Sequence, residues 1–379
     1  MKLSQVLSLL SLTSISLAQT NFTGDVISGY PVITSLDLSD VPSNTVSRYW
    51  IVAAVQQGSI PIYLPILVAR GSNSSLTSGR KLSLSASIHG DELNGIPVVQ
   101  RVFRQLNTTI SSGDFNGTVI GIPTMNPNGN QHNQRNYWTS TGNGFYTNLN
   151  RIFPGQSIAD GGSITDNYAS TIWNSVWGNL SNVDVAVDLH TLSTGSIGPL
   201  WAYADYRLPY VQRLAELAQP DIIKIDPGEP GSVETTFVDN DVPAITLEIG
   251  PAKNWNATLI DRAEAFVYRL MEDLQMMTSP SSGSSNGTGV VQIDLSNTYR
   301  ATNFSSVTAT RTGWVQPSVG VLEDVTEGQE VGTVYNSWGD VVETLTAPVT
   351  GRVLQVRYDP AIEMGAQVLD IAYNATESG

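Results

Sequence analysis

From residue 82 to residue 88 the chain alternates strictly. Leu82, Leu84, Ala86 and Ile88 are apolar or small, and Ser83, Ser85 and Ser87 stand between them. A period of two predicts a strand, with His89 at its end. The period then changes: Leu93, Ile96, Val99, Phe103 and Leu106 recur at three- and four-residue steps, which predicts a helix beginning near Asp91 or Glu92. Residues 118–123 predict a second strand, running into an Asn-rich loop over 126–146. Residues 183–189 are apolar apart from Asp184 and Asp188, as in a parallel strand covered on both faces, and His190 ends the run. A helix follows over 208–218, a strand over 244–249 and a helix over 261–276. Strands alternating with helices predict an α/β fold, a mostly parallel mixed sheet with helices on both faces. In such sheets ligands gather at the carboxyl ends of the strands, where His89 and His190 both fall.

The flanks read differently. Residues 19–79 form an N-terminal extension with first strands at 49–55 and 60–69, separated by turn-rich pieces such as Gly71-Ser72-Asn73-Ser74-Ser75. Residues 278–289 have the Ser/Gly composition of a flexible linker, which sets the α/β unit at 80–277. From 290 to 375 the chain is rich in Val, Thr and Gly, with glycine turns at short intervals. This predicts a small all-β barrel-sandwich domain.

Two of the three histidines end predicted strands, and the first opens His89-Gly90-Asp91-Glu92. Residues three apart at the mouth of a helix can face one side, so His89 and Glu92 can share an ion with His190. Two imidazoles and a carboxylate suit zinc better than calcium or magnesium, and three protein ligands leave a catalytic site one open position. His-X-X-Glu alone is a common pattern, equally compatible with a packed histidine beside a surface glutamate; the strand-end position of His190 tips the balance to one Zn2+ per chain. Glu248 lies in an otherwise apolar strand, on the face of Ala244 and Thr246. A carboxylate there is costly unless paired or near a metal, so it is either a general base or an edge-strand residue facing solvent. Asp188 shares a face with His190 and is either its orienting acceptor or a solvated acid. Arg135, Asn150 and Arg151 lie in Asn-rich stretches, and spacing alone does not select them. His132 reads as a loop histidine without a metal role. Residues 201–207, Trp-Ala-Tyr-Ala-Asp-Tyr-Arg, are a candidate pocket wall.

Composition narrows the setting. Lys2, the short apolar run from Val6 to Leu17 and Ser16-Leu17-Ala18 read as a signal peptide over 1–18, too short and too polar to span a bilayer. Nine Asn-X-Ser/Thr sequons (Asn21, Asn73, Asn107, Asn116, Asn179, Asn256, Asn286, Asn303 and Asn374) predict a secreted, extracellular glycoprotein. The absence of cysteine excludes thiol catalysis and thiolate metal sites. A net charge of −15 excludes a nucleic-acid partner, and no membrane partner is expected.

Five ordered pieces carry a resemblance. They are His89-Gly90-Asp91-Glu92, Asn126-Pro127 with Arg135 following, Leu149-Asn150-Arg151-Ile152-Phe153, Asp188-Leu189-His190-Thr191 and Leu247-Glu248-Ile249-Gly250-Pro251. Across residues 81–276 the chain resembles the succinylglutamate desuccinylase/aspartoacylase family of zinc hydrolases, relatives of the zinc carboxypeptidases. The resemblance implies metal ligation by His89, Glu92 and His190, with Glu248 as general base. It also implies that Arg135 polarises the carbonyl and that Asn150 and Arg151 hold a substrate carboxylate. The last domain is similar to the family's β-domain, akin to biotinyl and lipoyl carriers, which leans over the active-site mouth and limits substrate size. No lysine follows Lys253, so a carrier role is excluded. The expected activity is zinc-dependent hydrolysis of an amide, or an ester, in a small carboxylate-bearing substrate such as an N-acyl amino acid. The alternatives are a metallocarboxypeptidase acting on peptide C-termini and a non-catalytic secreted zinc- or glycan-binding protein.

Overall fold

The structure, a computed structural model, describes residues 19–140, 145–277 and 291–374. The predicted signal peptide, 1–18, and the predicted linker, 278–289, lie outside the described residues. Eleven strands form the main sheet. In chain order they are β1 (Asn21–Ile27), β2 (Tyr30–Ser35), β3 (Thr45–Val55), β4 (Pro61–Arg70), β5 (Arg80–Ala86), β6 (Gly117–Ile122), β7 (Val185–His190), β8 (Leu200–Ala204), β9 (Ile222–Ile225), β10 (Ala244–Ile249) and β11 (Tyr299–Ala301). Across the sheet the order is β1-β2-β3-β4-β6-β5-β7-β10-β8-β9-β11. The middle pairs, β6 with β5, β5 with β7 and β7 with β10, are parallel; β4 joins β6 and β8 joins β10 antiparallel. The sheet is thus mixed and mostly parallel, with α-helices packed on it.

Burial explains which runs became central. Every residue of β6, β7 and β10 is buried, whereas β4 alternates and β1 is almost wholly exposed. The serines of β5 are buried too, so the alternation at 82–88 does not separate core from solvent. It separates an apolar face from a hydrogen-bonded one: Trp177 Nε1 donates to Ser83 Oγ at 2.9 Å, and Ser85 Oγ donates to Asp188 Oδ1 at 2.7 Å. Strands β1 to β4, from the N-terminal extension, extend the same sheet, and one hydrophobic core runs from Ile33 to Met276.

Two predicted elements are corrected. The helix that follows His89 begins at Gly95, not at Asp91 or Glu92. Residues 89–94 stay in a turn because both flanks are pinned: Glu92 N donates to His89 O at 3.1 Å, and Asn94 Nδ2 donates to Ile249 O at 2.7 Å. Gly90 has no room for a side chain there, since a Cβ would lie 2.2 Å from the Gly129 backbone. Within the expected Asn-rich loop, Pro127–His132 is a short helix. Asn126 caps it by accepting from Gly129 N at 2.8 Å, and proline occupies its first turn.

Beyond β11 the chain folds into two small antiparallel sheets around their own core of Val307, Val315, Val334, Val353, Leu369 and Ile371, among others. A two-residue strand of the α/β unit, Ser196–Ile197, pairs antiparallel with Gly351–Arg357 of this domain. A third apolar cluster seals the junction, with Leu192, Trp201 and Ile222 against Leu354 and Ala372. The β-domain is therefore fixed beside the strand ends that carry His190 and Glu248.

Candidate metal centre

Three segments bring the predicted ligands together. His89 follows β5, Glu92 sits in the turn after it, and His190 ends β7. His89 Nδ1 lies 2.8 Å from Glu92 Oε1, and His190 Nδ1 lies 2.8 Å from Glu92 Oε2. All three side chains are almost fully buried, and their ligand atoms lie within 4.8 Å of one another. Each outer imidazole nitrogen has its own acceptor: Asn148 Oδ1 stands 3.1 Å from His89 Nε2, and Asp188 Oδ2 stands 2.8 Å from His190 Nε2. An acceptor at Nε2 keeps the proton there and leaves the Nδ1 lone pair for a metal.

The three groups also set one another's charge. Burial pushes the His190 imidazole down, but the Asp188 and Glu92 carboxylates outweigh it and hold the ring well above the usual histidine range. For His89 burial wins over Glu92, and the ring is lowered. Glu92 is raised by burial, yet the two histidines hold it well below the usual carboxylate range. The residues fit a divalent ion. The His89 Nδ1 contact with Glu92 is short but misaligned, so this buried nitrogen makes no hydrogen bond. Two nitrogens and a carboxylate, all opening on one cavity, match the three-ligand set of a catalytic zinc site.

Glu248 stands beside this group by register. In the sheet Glu248 is the Cα partner of His190 on one side and of Trp201 on the other. It therefore lies on a central strand, 8% exposed, and is not an edge residue facing solvent. Its Oε2 has no partner. Burial pushes its carboxyl up to about 8 and the Glu92 charge adds to this, while His190 and Arg135 pull it down.

The other predicted site residues also line the cavity, with their atoms partly committed. Arg135 donates through NH1 to Glu92 Oε1 at 2.7 Å and to Ser193 Oγ at 3.0 Å, so it already touches a metal ligand. Asn150 Oδ1 accepts from Val233 N at 2.8 Å, which leaves only its Nδ2 for a ligand, 3.5 Å from His190 Nε2. Arg151 is paired with Glu229, Nε to Oε2 at 3.1 Å. His132 stands apart, its ring 5.8 Å from that of Trp138. Of residues 201–207, Trp201 and Tyr203 line the cavity, while Arg207 pairs with Asp205 and Asp239.

The cavity holds about 310 Å³, and Phe304, Leu354, Gln355, Gln367 and Asp370 of the β-domain form part of its wall. Sequence reasoning missed those residues, together with Asn148 and Glu234. Asn148 lies two residues before Asn150, in a segment already marked. Glu234 is the second residue of a seven-residue helix too short to show a period.

Comparison with known proteins gives one family and one fold. The family model for the succinylglutamate desuccinylase/aspartoacylase catalytic domain matches residues 78–274. No curated protein matches the sequence. Among solved structures, a succinylglutamate desuccinylase/aspartoacylase from Rhodobacter sphaeroides is similar at 19% identity, with a TM-score of 0.71, covering 91% of this chain and 99% of that one. A product-bound ectoine utilization protein EutE (DoeB) from Ruegeria pomeroyi has 17% identity and a TM-score of 0.71, covering 90% and 99%. An aspartoacylase family protein from Mesorhizobium loti has 19% identity and a TM-score of 0.68, covering 95% and 100%.

Proposed function

Because the chain belongs to the succinylglutamate desuccinylase/aspartoacylase family, hydrolases of small acylated amino acids, we propose that it is a secreted zinc-dependent amidohydrolase of N-acyl amino acids. The observation that carries this reading is the convergence of His89, Glu92 and His190 on one cavity with an unpartnered Glu248 on the adjoining strand. Zinc held by the three ligands would supply the Lewis acidity that activates water near neutral pH. Glu248 accepts the proton of the attacking water and returns it to the leaving amine. Arg135 stabilises the negative charge that grows on the carbonyl oxygen, a contribution of order 3 kcal/mol for a well-aimed donor. Arg151, with the Asn150 amide nitrogen, anchors the substrate carboxylate and fixes the scissile bond.

Secretion rests on the leader pattern of residues 1–18 and on the sequons. None of the eight sequon asparagines among the described residues is buried. Against a carboxypeptidase stands the β-domain, whose side chains wall a cavity of about 310 Å³; a long peptide needs an open groove. Against a non-catalytic binder stands the buried, unsatisfied Glu248.

The test is a panel of N-acyl amino acids and peptides, run with the zinc-loaded protein and again after chelation, with metal analysis alongside. Hydrolysis of N-acyl amino acids, lost on chelation and restored by zinc, is the expected result. Release of C-terminal residues from long peptides alone would install the carboxypeptidase reading. A zinc-loaded protein inert towards the whole panel would install the binder.

A further inference from the structure

The cavity contains a second constellation that the hydrolytic chemistry does not use. Glu234 is the second residue of the helix Val233–Asp239 and is 3% exposed, yet it lines the cavity. Its Oε2 accepts from Thr235 Oγ1 at 3.0 Å, while its Oε1 is buried without a partner. The cations of this region are committed elsewhere: Lys224 to Asp226, Arg151 to Glu229, and Arg207 to Asp205 and Asp239. Asp370 lines the same cavity from the β-domain strand Gln367–Tyr373. It accepts from Ser306 Oγ at 2.6 Å and Gln355 Nε2 at 2.7 Å, and no cation pairs with it among the described residues.

Three aromatic rings line the same cavity. Trp201 lies 4.4 Å from Tyr203 and 5.5 Å from Phe304 between ring centroids, and Trp201 Nε1 is buried without a partner. Aromatic faces beside carboxylates attract ammonium and guanidinium groups. A cation already lies against one of these rings, Lys224 Nζ being 5.0 Å from the Phe304 centroid. A buried carboxyl without a counter-charge is costly to ionise. Burial pushes Glu234 up to about 8; the Thr235 hydroxyl pulls back, and Asp205, Asp226 and Asp188 push further. Of the acids that line the cavity, Glu92, Asp226 and Glu229 are paired with Arg135, Lys224 and Arg151, whereas Glu234 and Asp370, like Glu248, make no ion pair among the described residues.

We propose that Glu234 and Asp370 form a cation subsite, so that the substrate is an acylated amino acid whose side chain carries an ammonium or guanidinium group. The substrate class rests on the hydrolase reading above; the subsite can be measured without turnover.

The probes are L-ornithine, L-norvaline, which lacks the side-chain amine, and L-glutamate, titrated calorimetrically into the zinc-loaded full chain. Their N-acetyl derivatives are assayed in parallel. Ornithine should bind at least about tenfold more tightly than norvaline, with glutamate the weakest, as a charge-assisted contact predicts. Glu234→Gln should reduce the ornithine/norvaline ratio to about one. Asp370→Asn, on the other domain, should narrow it independently and so covers any folding defect of the first variant. Equal affinity for ornithine and norvaline, or a preference for glutamate, overturns the subsite. Ornithine-selective binding with no member of the N-acyl panel cleaved upholds the subsite and removes the hydrolase reading, so the two failures are distinguishable.

Discussion

The ligand end of the cavity and its aromatic, acidic wall are built on opposite principles. At the ligand end, the side chains come from adjacent parallel strands and the turn beside them, and the supporting polar atoms are paired: Asn148 on His89, Asp188 on His190, Ser85 on Asp188, Thr191 N on Glu92; the atoms left without a hydrogen bond, His89 Nδ1 and Glu248 Oε2, are those that the proposed ion and proton transfer would use. At the aromatic wall, the side chains come from a short helix, an antiparallel strand and a second domain, and Glu234 Oε1 and Trp201 Nε1 have no partner. On the proposed function, the ligand end is preorganised around an ion and a proton transfer. The wall is completed only by what enters the cavity. The two proposals together therefore place the chemistry where the sheet dictates positions, and selectivity where the sheet meets the β-domain.

The sharpest way to break this contrast is at Glu248. The proposal predicts that Glu248→Gln retains one zinc per chain and loses about 10²- to 10⁴-fold in kcat, the usual worth of a general base. Turnover and metal content on the same preparation check this; an unimpaired rate would transfer the base role to another group. A smaller effect is expected one layer out. Asp188→Asn should weaken zinc binding or activity by roughly 10- to 100-fold, as for other acceptors behind a ligating imidazole. Competition with a chromophoric chelator measures it. If Asp188 were only a solvated acid, the substitution would leave zinc affinity untouched, but its 2% exposure and its bonds to Ser85 and His190 speak for the orienting role.

What could be read from the sequence follows the same divide. His89 and His190 were legible because a strand end is marked by the change of period, and Glu248 because a carboxylate interrupts an apolar run. Arg135, Asn150 and Arg151 were not legible by spacing; only the family pattern singled them out, since loop residues leave no period. The helix start differs because Asn94 and Gly90 are held by hydrogen bonds to the carbonyls of Ile249 and Arg135, distant in sequence. Asp370 and Phe304 reach the cavity because the β-domain docks through the pairing of Ser196–Ile197 with Gly351–Arg357 and the apolar cluster of Leu192, Trp201 and Ile222 against Leu354 and Ala372, contacts between remote segments that no local pattern announces. Glu234 left no local trace either, in a helix of seven residues whose first six are all buried.

An effect on stability rather than on rate or affinity concerns Glu234 without ligand. Its folded carboxyl is pushed up to about 8 by burial, against 4.5 as the ordinary value. The folded protein therefore keeps this proton where the unfolded chain has lost it. The stability that this group contributes is complete below about pH 4.5 and is lost as pH rises towards 8. Glutamine cannot ionise, so Glu234→Gln removes that loss. The difference in Tm between variant and wild type should move in the variant's favour from pH 5 to pH 8 and level off above. Its size should be of order 2–4 kcal/mol, or a few degrees in a chain of this length. Calorimetric scans of zinc-loaded protein across that range measure it, and Glu248 cancels because both proteins retain it. A difference independent of pH would mean that Glu234 is ionised throughout, with a cation of the protein's own beside it. The aromatic wall would then be as complete as the ligand end, and the contrast between them would disappear.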